Sequence, residues 1–116
     1  MKAHITRLPD LPGIPCPCGT TRRAFVKEME GKATLHFLEV KKDSELHYHK
    51  RLTEIYYVLS GSGQMELNGE LHPLSAGDAV LIPPGTVHRA IPGSNKLQLL
   101  VFVMPAFDPS DEWLVS

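Results

Sequence analysis

His47 and His49 are one residue apart. On a β-strand that spacing puts both imidazoles on one face, within reach of a single metal ion. Glu54 follows the turn-like stretch Lys50-Arg51-Leu52-Thr53 and opens an otherwise apolar segment. A carboxylate there is costly to bury unless a positive charge compensates it, and a metal would do so. His88 follows the turn Pro83-Pro84-Gly85, so it too begins a strand rather than ending a helix. These residue types fit divalent-metal chemistry if the fold brings them together.

The elements that would position them are short. Nine glycines and ten prolines punctuate the chain at turn-like spacing and leave few gaps long enough for a helix. Pro9, Pro12, Pro15 and Pro17 make residues 9–17 an extended lead-in. Strands are expected at 23–27, 34–40, 46–49, 54–59, 64–67, 70–72, 79–82, 87–91 and 97–104. Asn68-Gly69 supplies the pair of positive φ angles that a tight hairpin requires. Asp108, Pro109 and the acids after them fit one short helical turn. Many short strands at this spacing predict an all-β antiparallel sandwich or barrel, whose mouth is a natural ligand site. The expected division is an irregular arm (1–22), a barrel (23–106) and a tail (107–116).

Composition narrows the function classes. A chain of 116 residues is one domain. A net charge of −1 argues against a nucleic-acid partner, which a basic face would hold. Lys41-Lys42 and Lys50-Arg51 are too short for a polybasic membrane tether, and no apolar run suits a spanning helix. The N-terminus lacks a signal-peptide apolar region, so a cytoplasmic location is expected. Cys16-Pro17-Cys18 is not a two-residue-spaced redox or zinc pair, and a disulfide across one residue would be strained. Free thiols are expected there, near the metal only if the arm folds over the barrel mouth.

Residues 47–61 read His-Tyr-His-Lys-Arg-Leu-Thr-Glu, six residues, Gly61. Residues 77–88 read Gly77, five residues, Pro83-Pro84-Gly85, two residues, His88. These resemble the two short motifs of the cupin superfamily, in their expected order. The resemblance covers roughly residues 34–106. It implies a double-stranded β-helix, the jelly-roll barrel of small single-domain members, often dimeric. It also implies a divalent metal held by His47, His49, Glu54 and His88. Two positions depart from the pattern: Lys41 stands where a glycine is expected and Pro92 where an asparagine is expected. Neither is a ligand position.

Three imidazoles and a carboxylate suit Fe, Mn, Ni, Zn or Cu, and the sequence does not choose among them. Imidazole ligands must be neutral, so metal affinity should fall below about pH 6.5. Tyr56 shares the face of Glu54 and is either a substrate or acid–base contact or a packed core tyrosine. His36, Gln64 and Phe102 are further pocket-lining candidates, with His36 alternatively a partly exposed strand residue. His4 and His72 are expected on the surface. Segments 54–59 and 97–104 are apolar on both faces, so one face needs a cover, and a homodimer would supply it. The function expected is a metal-dependent enzyme, dioxygenase- or isomerase-type, on a small oxygen-bearing molecule. The alternatives are a small-ligand-binding or sensing module, and a structural domain with a vestigial metal.

Overall fold

The structure, a computed structural model, describes residues 1–16 and 18–115; Pro17 and Ser116 lie outside the described residues. The described residues form eleven strands: β1 (Ile14–Cys16), β2 (Gly19–Ala24), β3 (Thr34–Val40), β4 (His47–Tyr48), β5 (Thr53–Ser60), β6 (Ser62–Leu67), β7 (Glu70–Ser75), β8 (Ala79–Ile82), β9 (His88–Pro92), β10 (Leu97–Met104) and β11 (Trp113–Leu114). They build two antiparallel sheets. One has the order β1-β2-β3-β10-β5-β8, the other β11-β4-β9-β6-β7. No helix among the described residues is long and apolar enough to cross a membrane.

Alternation sets the faces. In β10, Leu97, Leu99, Val101 and Val103 are buried while Phe102 is exposed. In β5, Glu54, Tyr56 and Val58 point in and Tyr57 and Leu59 point out. The inward sets of both sheets meet in one core with Leu52, Met65, Leu74 and Ile82. Full burial of each large apolar side chain contributes on the order of 1.5–3 kcal/mol before chain entropy is counted.

Turn chemistry places the strands in register. Asn68 (φ 48°) and Gly69 (φ 86°) join β6 to β7 with Leu67 opposite Glu70. Gly61 has φ 83°, and a Cβ there would collide with the Lys96 carbonyl oxygen, so only glycine fits between β5 and β6. The tail turn is capped as expected: the Asp108 side chain accepts the Ser110 N–H, with Pro109 at the first position of the 3-10 turn 109–111.

Two features differ from the sequence reading. The arm is not irregular throughout, because β1 and β2 form a hairpin that extends the six-stranded sheet through β3. β2 also begins earlier than the expected 23–27 strand and stops at Ala24, because Phe25 takes a left-handed φ of 61°. Pro92 is the final residue of β9, an interior strand, opposite Gly63, where its missing N–H interrupts nothing further.

Candidate metal centre

His47 begins β4 and His88 begins β9, and the two residues face each other in the β4–β9 pairing. His49 lies just past β4, where its carbonyl accepts the Gly85 N–H at 2.6 Å. Glu54 is the second residue of β5 in the opposing sheet. Asn68 fixes the approach to His88: its side-chain oxygen accepts the Val87 N–H at 2.9 Å, and its own N–H donates to the Val87 carbonyl at 2.8 Å. The hairpin turn thereby holds the ligand strand.

Each histidine is oriented by a backbone carbonyl. His47 Nδ1 meets the Glu45 oxygen at 2.7 Å, His49 Nδ1 the Asp111 oxygen at 2.7 Å and His88 Nδ1 the Thr86 oxygen at 2.8 Å. A carbonyl only accepts, so every Nδ1 carries the proton and every Nε2 presents a lone pair. Those lone pairs converge with Glu54. His49 Nε2 lies 3.1 Å and His88 Nε2 3.2 Å from Glu54 Oε1. In that tautomer all three atoms are acceptors, so these contacts are not hydrogen bonds. All three are buried without a hydrogen-bond partner. One ligand atom from each of the four residues lies within 4.8 Å of the others. Buried acceptors aimed at one point fit a cation, and nitrogen donors with one carboxylate fit a divalent transition metal.

Metal apart, the cluster's own ionisation pulls two ways. Burial works to raise the Glu54 pKa, but His49 and His88 imidazoles that turn an Nε2 proton toward it outweigh burial and hold the carboxyl at about 2. Burial and the neighbouring His88 lower the His47 pKa, which favours the neutral ligand form. Burial likewise works to lower the His49 pKa, yet the Glu54 carboxylate prevails and the net shift is upward.

His47, His49 and Glu54 open onto a cavity of about 210 Å³. Tyr56 and His36 line it, and both are buried. The Tyr56 ring stands 6.2 Å from the His88 ring at 87°. Burial, then the Glu54 carboxylate, raises its pKa well above 10, so the phenol stays protonated. His36 Nε2 and Thr34 Oγ1 share a 2.8 Å hydrogen bond. Gln64 and Phe102 do not line the cavity. Gln64 alternates with the buried Met65, and Phe102 with the buried Val101 and Val103, so both side chains point outward. Their strands are apolar on both faces, which hid the direction.

Several cavity residues carry no signal in their local sequence. The β1–β2 hairpin folds the arm over the barrel and brings Cys16 and Cys18 into the wall, both free, with sulfurs 3.2 Å apart. Burial, then Cys16, pushes the Cys18 thiol up to about 12, so it is not a thiolate. Arg23, Phe107 and Glu112 also line the cavity. Glu112 Oε1 is 3.6 Å from His47 Nε2. Asp111 is buried beneath the turn that follows His49. Its carboxylate accepts the N–H groups of Lys50 (3.0 Å), Arg51 (2.9 Å) and Leu52 (3.0 Å). Against the effect of burial, those donors hold the carboxyl below the usual range.

The Cupin domain family model matches residues 34–104. This chain belongs to the cupin family. The cupin barrel is also what the comparisons with known proteins return. A protein of Aquifex aeolicus is 38% identical over 76 residues, 65% of this chain and 63% of that one. The chain spans less than two thirds of the length of the curated relatives it matches, 63% and 54%. A crystal structure of a protein from Planctomyces limnophilus superposes with a TM-score of 0.87 at 32% identity, covering 97% of both chains. Pac13, a nucleoside dehydratase from Streptomyces, gives a TM-score of 0.81 at 23% identity over 98% of this cupin and 92% of that chain. That last likeness is one of fold.

Proposed function

We propose that this cupin is a metal-dependent enzyme acting on a small oxygen-bearing organic molecule. One observation carries the reading: His49 and His88, anchored at Nδ1, turn buried, partnerless Nε2 atoms toward the equally partnerless Glu54 Oε1, with His47 in the same cluster, beside a cavity. His47, His49, Glu54 and His88 would hold one divalent metal per chain. When bound, such a metal supplies Lewis acidity and open coordination positions for substrate oxygens.

The remaining roles belong to the protein. The apolar wall of Leu38, Val101 and Val103 excludes water around the substrate. Tyr56, kept protonated, donates a hydrogen bond to a substrate oxygen beside Glu54. Dioxygenase- and isomerase-type turnover both fit this arrangement. The two free thiols support a cytoplasmic, reducing setting.

The test begins with metal content after purification. His88→Ala should lose the metal and keep the β-sheet circular dichroism signal; unchanged occupancy would refute the ligand set. Tyr56→Phe should retain the metal and lower turnover on a panel of diols, hydroxy acids and keto acids. Recovery of every compound unchanged from the metal-loaded wild type would replace the enzymatic reading with a binding one.

A further inference from the structure

Arg22 and Arg23 are neighbours on β2 with opposite fates. Arg22 faces outward and is paired: Nη1 donates to Glu39 at 3.1 Å and Nε to the Leu11 carbonyl at 3.0 Å. Arg23 faces the cavity that holds the metal ligands. Its Nε is buried and has no hydrogen-bond partner. Among the described residues its guanidinium makes no ion pair; it rests on the Phe107 ring, 4.8 Å from the centroid. A buried N–H of a permanent cation without an acceptor is costly, so the position calls for an anion.

The sheet fixes where that anion would sit. Arg23 is in register with His36, His36 with Val101, and Val101 with Tyr56. At about 4.8 Å per strand, the Arg23 and Tyr56 Cα atoms are roughly 14 Å apart before the side chains reach inward. Tyr56 lies two residues from Glu54, on the same face. The cavity therefore has a ligand cluster at one pole and an unpaired guanidinium at the other. Leu38, Val101 and Val103 form an apolar wall in it. His36, in the same row, is held neutral down to about pH 4 by burial and by Arg23, and among the described residues lining the cavity Arg23 is the one Lys or Arg.

We infer that Arg23 binds the carboxylate of a substrate whose other end meets the metal. The substrate class is a hydroxy or keto acid with a second carboxylate beyond a short apolar spacer. The planar fork of the guanidinium matches a carboxylate through two parallel hydrogen bonds. Phe107 holds the fork in place from its face. This inference rests on the metal reading of the same cavity, and the experiment separates the two.

The probes are 2-hydroxysuccinate, 2-hydroxyglutarate and 2-hydroxyadipate, each paired with the monocarboxylate of equal chain length lacking the distal carboxyl. Affinities are measured by calorimetry on zinc-loaded and on metal-stripped protein. At least one dicarboxylate should bind zinc-loaded wild type about tenfold more tightly than its partner, the scale of a charged hydrogen-bonded contact. Arg23→Gln should abolish that preference, and Arg23→Lys should restore part of it. No preference at any chain length, including failure of every probe to bind, overturns the inference. So does a preference that survives in Arg23→Gln. If zinc strengthens both members of each pair equally, with no preference, the metal reading stands without this one. If the preference depends on Arg23 but not on zinc, the carboxylate site stands and the metal's part in binding falls.

Discussion

His36 is buried in the cavity wall without joining the ligand cluster, and its surroundings keep it uncharged. Burial first, and then the nearby Arg23, lower its pKa from 6.5 to about 4. The unfolded chain therefore takes up a proton that the folded chain refuses between those values. Stability from this residue is complete above pH 6.5 and is lost as the pH falls toward 4. The full effect is about 3 kcal/mol. Denaturant titrations of metal-stripped protein at pH 4, 5, 6 and 7 should show a steeper loss in wild type than in His36→Gln, where His47 still contributes to the slope. Parallel pH profiles would refute this account of the residue. At the ligand cluster, protons compete with the metal for the imidazoles. Metal retained after dialysis should be lower at pH 5.0 than at pH 7.5. The members of the cluster were legible because each sits in a readable local setting: His47 and His49 alternate on one short segment, and His88 follows a proline-glycine turn. Arg23 was not legible, because its meaning depends on pairing with a strand thirteen residues away, through His36.

Among the elements, the C-terminal segment has more influence on the site than its length suggests. The 3-10 turn 109–111 and β11 lie against β4, and Asp111 gathers the three N–H groups that follow His49. Asp111→Ala should release that turn, lower the thermal midpoint and weaken metal binding by about tenfold or more, as losses around a ligand do. Asp108→Ala provides the control. Its carboxylate caps Ser110 and meets an exposed Arg51 at 2.7 Å, so metal affinity should stay near that of wild type. Equal loss in both variants would assign the effect to general destabilisation. Strand content was readable where β-branched and apolar residues run together, as in β3, β8 and β10, whose bounds match the expected 34–40, 79–82 and 97–104. β1 and β11 were not. Three- and two-residue strands have no periodicity to read, and only their partners define them.

For the whole molecule, the outer face of the six-stranded sheet is the open question of assembly. Phe102, Ile55 and Leu81 lie in one register row, and Leu100 and Tyr57 in the next. Tyr57, Leu59, Leu81 and Phe102 are all exposed. A contiguous apolar face of this kind supports the homodimer proposed from the sequence. Light scattering at micromolar concentration should give twice the 12.9 kDa of one chain. Leu81→Lys should shift it toward the single-chain mass with the metal retained. A wild-type mass of one chain would dismiss the dimer.

The carbonyl that orients His49 belongs to a residue 62 positions later. On the proposed metal reading, metal occupancy and docking of the C-terminal segment would be linked equilibria, and linkage is reciprocal: whatever factor the docked segment adds to metal affinity, the metal returns to docking. Amide hydrogen exchange gives a direct reporter of it. The protons of Arg51 and Leu52, held by Asp111, and of Val115, held by the Leu46 carbonyl, should exchange more slowly once the metal is in place. A segment outside the four-residue cluster would thus become a gauge of the metal's presence.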